Sequence, residues 1–169
     1  MAFDRLRSVL ADRMPALATL APDGTLVDSV PDIARALDGA LAAAGYATAG
    51  AVRVRVWVGR GSRVLVQQAL GHVYGAEVPQ AEIDAVLAAY LGRYSADCTA
   101  LTGAMPGADA LLHALAAEGV RLACVTNKPE RIAARVVGHV FPAIRFDVLL
   151  GGDSGAGTKP APEPLRVVL

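Results

Sequence analysis

Apolar positions along this chain change period from one stretch to the next, and the changes outline the elements. Ala16–Ala21 is a short apolar run closed by Pro22-Asp23-Gly24-Thr25, the pattern of a buried strand running into a loop. Between Asp32 and Ala44 the apolar residues Ile33, Ala36, Leu37, Ala40, Leu41 and Ala44 recur at helical spacing, with Asp32 as N-cap and Gly45 as stop. Val52–Val58 alternates Val with Arg or Trp and, on period alone, predicts a half-buried strand. Gly59-Arg60-Gly61 breaks the chain, and Ser62 opens a helix through Leu70. Pro79 precedes a helix from Ala81 to about Tyr94, with Ile83, Val86, Leu87, Tyr90 and Leu91 on one face. Pro106-Gly107 starts another, Ala108–Glu118, stopped by Gly119.

The remainder predicts strand, helix, strand. Val120–Val125 is a continuous apolar run with one Arg, ending at Thr126-Asn127-Lys128-Pro129. Glu130–Val140 reads as a helix, and Phe146–Leu150 as a strand before Gly151-Gly152. This order is that of parallel βαβ units, so the expected fold class is α/β with a parallel sheet. Residues 1–14 look like an extension able to form a short amphipathic turn or helix, and Pro160–Pro164 a turn or extended segment.

Composition narrows the function classes. A chain of 169 residues and 17.4 kDa fits one domain, or one core carrying an insertion. With 54% hydrophobic residues and a mean hydropathy of +0.41 it fills a core, which excludes general disorder. Sixteen basic and sixteen acidic residues cancel, and aromatics are only 5%, so neither a basic nucleic-acid footprint nor a base-stacking platform is expected. A small molecule is the expected partner. Cys98 and Cys124 have no CxxC spacing, and Cys124 reads as a reduced, buried thiol. Asp12 and Arg13 interrupt any secretory apolar segment, and no run approaches a membrane span, so the expected location is the cytoplasm.

Two glycine-rich stretches are false leads. Gly152–Lys159 nearly fits a nucleotide-binding loop, but Thr158 and Lys159 stand in swapped order and Pro160 follows. Gly59-Arg60-Gly61 lacks the third glycine of a dinucleotide fingerprint, since Val64 stands there. The stronger signal is three pieces in order. Asp23-Gly24-Thr25-Leu26-Val27-Asp28-Ser29, Val125-Thr126-Asn127-Lys128-Pro129 and Lys159-Pro160 each follow a predicted strand, where open α/β sheets bind ligands. A Thr hydroxyl, a Lys ammonium and Gly-turn amides converging there suit a phosphoryl group.

With these pieces in place, the chain resembles the haloacid dehalogenase-superfamily phosphatases of the bacterial phosphoglycolate phosphatase type. DGTLVDSVPDIARALDGALAAAGY, RVWVGRGSRVLVQQAL, MPGADALLHALAAEGVRLACVTNKPERIA and FDVLLGGDS…KPAPEPL carry the likeness, from about Leu20 to Leu165. It implies a Rossmann-like core, residues 15–30 and 103–169, with a helical cap inserted at 31–102. Under that division Val52–Val58 is a cap helix leading into Gly59–Gly61, because a lone strand among helices has no pairing partner. The implied activity is Mg²⁺-dependent hydrolysis of 2-phosphoglycolate to glycolate and phosphate through an aspartyl-phosphate.

The resemblance assigns the residues one by one. Asp23 is the general acid/base, with its backbone carbonyl as a metal ligand, and Gly24 and Thr25 belong to the phosphate-side turn. Thr126 holds the transferring phosphoryl group with Asn127 beside it, and Lys159 neutralises charge. Gly59, Arg60 and Gly61 form the cap loop over the substrate. The nucleophile position is Ala21, whose methyl group neither attacks phosphorus nor ligates Mg²⁺, and Asp28 is not an evident substitute. The family's fourth, acidic motif is expected a few tens of residues beyond Lys159, whereas Leu169 lies ten residues after it; Asp153 precedes Lys159 and reads as a loop residue. The Mg²⁺ site is therefore expected to be incomplete, turnover impaired, and the core truncated, with Ala16–Ala21 as an uncovered edge prone to self-association. The alternative is a non-catalytic module that binds a phosphate ligand or a protein.

Overall fold

The computed structural model describes residue 8, residues 13–74 and residues 77–169. Most of the extension expected over residues 1–14 lies outside the described residues. Strand β1, Leu17–Leu20, is followed by the two-residue β2, Val27–Asp28. Four helices come next: α1, Val30–Ala43; α2, Ala51–Trp57; α3, Ser62–Tyr74; and α4, Gln80–Ala96. Then follow β3, Gly103–Ala104; α5, Ala108–Ala117; β4, Arg121–Val125; α6, Glu130–Val140; β5, Val148–Leu150; and α7, Glu163–Val168.

β1, β4 and β5 form one parallel sheet with β4 in the middle, in register Leu17↔Arg121 through Leu20↔Cys124 and Ala123↔Val148 through Val125↔Leu150. The α/β class with a parallel sheet holds. β4 reads as one apolar run because both faces are covered: Leu122 to Val125 are all buried. β1 was expected to be buried but is only half-buried along its length, since it ends the strand order of the described residues. β2 and β3 pair antiparallel as a small ribbon with no counterpart in the sequence reading. Two-residue strands leave too short an alternation to detect.

One further expectation holds and two change. The stretch is helical over Ala51–Trp57, as the resemblance implied and against its own alternation, with Val58 extended at its end; Val54 is buried while Val52 and Val56 face outward at 83% and 79% exposure. Helix α2 lies against α1 and α3, and no strand among the described residues pairs with it. Asp32 is not an N-cap. Pro31 stands at the start of α1, Ser29 occupies the cap position, and Asp32 sits fully buried inside the first turn. The proline-rich tail is a turn only to Pro162, after which Pro164 at the start of α7 serves as a helix opener.

The core joins the helices to one side of the sheet. Ile33, Leu37, Ala40 and Leu41 form the inward face of α1 and lie against α4, whose Ile83, Val86 and Tyr90 share one core with Leu65, Val66, Ala69 and Leu70 of α3. A fully buried leucine of this kind contributes about 1.5–3 kcal/mol. Beneath the other sheet face lies a small cluster, Ala123, Val125 and Val168, with Leu17, Val148 and Leu150 against it. Both cysteines are buried free thiols. None of the helices among the described residues is long and apolar enough to cross a membrane.

Candidate active site

The carboxyl ends of β1, β4 and β5 open into one cleft of about 90 Å³. Its lining includes Ala21, Asp23, Gly59, Gly61, Thr126, Asn127 and Lys159, so seven of the positions singled out in the sequence meet at one place. Gly24, Thr25 and Arg60 are exposed and lie outside that lining. Asp28 is outside it too, bound instead to Arg55 at 3.0 Å.

The turn after β1 explains the position of Asp23. The carbonyl of Pro22 accepts from the amides of Thr25, Leu26 and Val27 at 2.9–3.2 Å, and Gly24 donates back to Val27 at 2.9 Å. Closing so tight a turn takes a left-handed residue, and Gly24, at φ 73°, supplies it. Asp23 is thereby presented to the cleft. Its Oδ1 accepts from the Ser29 hydroxyl and, at 2.6 Å, from the Lys128 ammonium.

Lys128 has a place in the sequence reading, within Val125-Thr126-Asn127-Lys128-Pro129, but receives no role there. It directly follows Asn127 in the loop after β4, yet a lone lysine in a loop is ordinarily solvated. Here its side chain is only 4% exposed, donates to the Tyr94 hydroxyl at 2.7 Å and lies 5.0 Å from the centre of that ring. Tyr94 stacks on Tyr90 one turn earlier in α4, with ring centres 5.7 Å apart. Burial, then the Asp23 charge, raises both phenols above their usual range, so they stand as neutral groups. The available signal was that Tyr90 and Tyr94 share the apolar face of α4.

Asn127 ties the other loops together. Its side chain donates to the carbonyls of Gly59, at 3.0 Å, and Lys159, at 2.9 Å, and accepts from the Lys159 amide at 2.8 Å. The loop after β5 presses against the same residue. A Cβ on Gly152 would stand 2.5 Å from the Asn127 carbonyl oxygen, and one on Gly151 2.3 Å from the Glu130 amide nitrogen. The glycine pair thus permits close approach and does not cradle a phosphate. Asp153, in the same loop, accepts from the Glu130 amide at 2.8 Å.

Lys159 reaches back to donate from Nζ to the Val125 carbonyl at 2.7 Å, and its burial pulls its pKa below the usual lysine range. Thr126 Oγ1 accepts from the Lys128 amide at 3.1 Å, which aims the hydroxyl proton elsewhere. Behind the site, burial in β4 pushes the Cys124 thiol up to about 12, which keeps it protonated and inert.

Two ammonium groups, a hydroxyl and a carboxylate thus stand beside loop backbone around one cleft, with one cation more than anions. Magnesium, implied by the resemblance, takes hard oxygen ligands, carboxylates foremost. Asp23 is the one carboxylate in the lining, its Oδ1 already holds an ammonium, and Ala21 adds a methyl group. Among the described residues, His, Cys, Asp and Glu nowhere gather three together as a metal site would require. These residues do not fit a divalent cation.

The parallel sheet carries a cleft at its strand ends, lined by residues from the loops after β1, β4 and β5 and from helices of the 30–96 stretch. The haloacid dehalogenase-like hydrolase model matches residues 23–169, and the chain belongs to that family. Phosphoglycolate phosphatase 1 of Pseudomonas aeruginosa is 41% identical over 160 residues, covering 94% of this chain and 58% of the relative. The Pseudomonas putida phosphoglycolate phosphatase is 39% identical over 157 residues, covering 92% and 57%. The chain therefore spans somewhat under three fifths of these curated relatives. A crystal structure described as a predicted phosphoglycolate phosphatase, from Haemophilus somnus, superposes with a TM-score of 0.83 at 29% identity, covering 92% of this chain and 71% of that one.

Proposed function

We propose that this chain is a phosphomonoester hydrolase of the phosphoglycolate phosphatase type whose covalent step is silenced by Ala21. The observation that carries this reading is the meeting of Ala21, Asp23, Thr126 and Lys159 around one cleft at the strand ends. The names of the similar proteins support a small phosphorylated acid as the ligand. In this reading residues 31–102 are the cap and residues 15–30 and 103–169 the core, with the cleft between them.

The chemistry follows from the side chains present. Lys159 and Thr126 hold the phosphoryl oxygens, and Asn127 fixes the Lys159 backbone and the Gly59 loop against each other. Asp23 stands where a proton passes to or from the leaving oxygen. A nucleophile facing the phosphorus is what the site lacks, since the Ala21 methyl has no lone pair. Deleting a catalytic nucleophile costs on the order of 10⁶ in kcat in a hydrolase where it was measured.

The test is phosphate release from 2-phosphoglycolate with Mg²⁺ present, by the chain as it stands and by Ala21→Asp. The expected result is no release above background from the unaltered chain and measurable release from the variant. Turnover by the unaltered chain would place the nucleophile elsewhere and overturn the assignment of Ala21.

A further inference from the structure

We propose that the cleft binds a phosphate monoester without a divalent cation, with Lys128 and Lys159 supplying the positive charge that a metal would otherwise bring. The inference rests on the reading of the cleft as a phosphate site and goes beyond it in one respect, the source of the charge.

Charge arithmetic is the first ground. The ionised side chains in the lining are Lys128, Lys159 and Asp23, two positive and one negative, which leaves one positive charge in excess. A carboxylate at position 21 would cancel that excess, and an incoming dianion would then need a cation. With Ala21 there is nothing to cancel it.

Geometry is the second ground. Lys128 Nζ binds Asp23 Oδ1 at 2.6 Å, so the one carboxylate in the cleft is masked by an ammonium in direct contact with it. An ammonium has three donors. Lys128 spends two, on Asp23 and Tyr94, and retains one; Lys159 spends one, on Val125, and retains two. The Thr126 hydroxyl proton is also unspent, because Oγ1 acts as acceptor toward the Lys128 amide. Four donors then remain unspent on cleft-lining side chains, three of them on the two ammonium groups, which carry two charges between them. Lys128 is nearly sealed from water, where such contacts are worth more than at a surface.

Preorganisation is the third. Lys128 is clamped between Asp23 and Tyr94, and the backbone of Lys159 is held at both its amide and its carbonyl by Asn127. Little side-chain entropy remains to be lost when the anion arrives.

Calorimetric titration of the full chain with 2-phosphoglycolate, and with inorganic phosphate, in EDTA and then in millimolar Mg²⁺ tests this. The expected result is binding in EDTA with less than a twofold change on adding Mg²⁺. Lys128→Met weakens binding in EDTA at least tenfold. Because that variant strands Asp23 and risks the fold, Ala21→Asp is the second probe: it sets a new carboxylate against the anion and weakens binding at least tenfold in EDTA. Binding by the unaltered chain only when Mg²⁺ is present overturns this inference and leaves the phosphate-site reading intact. An Ala21→Asp variant that binds as tightly in EDTA as the unaltered chain overturns it as well. No binding of either ligand under either condition overturns both.

Discussion

Asp23 and Asp32 are both carboxylates held by a cation and a hydroxyl, and they do opposite things. Asp32, inside α1, is completely buried: Oδ1 takes Arg35 at 2.9 Å, while Oδ2 takes the Leu101 amide at 2.9 Å and the Thr102 hydroxyl at 2.7 Å. Every direction is occupied, and the bonds stitch the start of α1 to the segment after α4. Asp23 keeps 14% of its side chain exposed, and Ser29 and Lys128 both bind its Oδ1. Its second oxygen stays out of that network, in a residue that lines the cleft. A carboxylate saturated on both oxygens is a fastener. One saturated on a single oxygen, at the mouth of a cleft, is positioned for chemistry.

The largest effect is expected at the fastener. Asp32→Ala takes the acceptor from the Leu101 amide and one ion-pair partner from Arg35, and leaves the buried Thr102 hydroxyl only its 3.2 Å bond to the Cys98 carbonyl; breaking so buried a charged network costs about 3 kcal/mol. Urea unfolding reads this as a lower midpoint at unchanged slope. Affinity for 2-phosphoglycolate should not move, because Asp32 is outside the cleft lining. A large loss of affinity would dissolve the distinction between the two carboxylates.

Asp23→Asn is expected to cost less, about 2 kcal/mol, because the amide oxygen still accepts from Ser29 while Lys128 loses its counter-charge in a nearly dry place. Removing the stranded charge as well, in Asp23→Asn with Lys128→Met, should recover most of that loss. The recovery is measured as a double-mutant cycle on unfolding free energy. At Asp32 no single partner change offers such a rescue, since three groups share the load.

What was legible in the sequence divides along the same line. The cleft positions Asp23, Thr126 and Lys159 follow strand ends, and strand ends are readable from apolar runs. The role of Asp32 was misread because an acidic residue at the start of an apolar helical period looks the same whether it caps the first turn or is buried within it. Pro31 moved the boundary by a turn. Lys128 was passed over for a different reason. Its meaning depends on Tyr94, on a helix distant in sequence, and on Asp23 across the cleft, and no local pattern records either contact. Val52–Val58 shows the converse failure. Its alternation is a true feature of the chain, but on α2 it leaves Val54 buried and its two valine neighbours facing outward.

Gly152→Ala tests whether the cleft depends on close approach between loops. Its new Cβ meets backbone atoms of Asn127, at 2.5 Å from the oxygen and 3.0 Å from the carbonyl carbon, so the loop itself must shift. A cost of about 1.5 kcal/mol is expected, within the range for overpacking. Weaker phosphate binding should accompany it through displacement of Asn127 and hence of Lys159. Unchanged binding would mean that Lys159 is placed by its own bond to Val125 and not by the Asn127 bracket.

The smallest effect belongs to a third carboxylate, Asp28, which completes the comparison from the solvent side. It pairs with Arg55 at 3.0 Å, with the two side chains 37% and 56% exposed. The hydrogen bond from Arg55 holds its carboxyl below the usual carboxylate range. Because the folded pKa is depressed, the stabilisation is present above the unfolded value near 3.9 and is lost as pH falls through the folded one. Water screens such a pair, so Arg55→Ala should cost no more than about 0.5 kcal/mol at neutral pH, and the difference from the unaltered chain should vanish once the pH has fallen through the depressed folded value. Raised salt should shrink it too. A loss comparable to that of Asp32→Ala would show that α2, with its outward-facing valines, depends on this link for its position, and solvent exposure would then be a poor guide to which carboxylates matter.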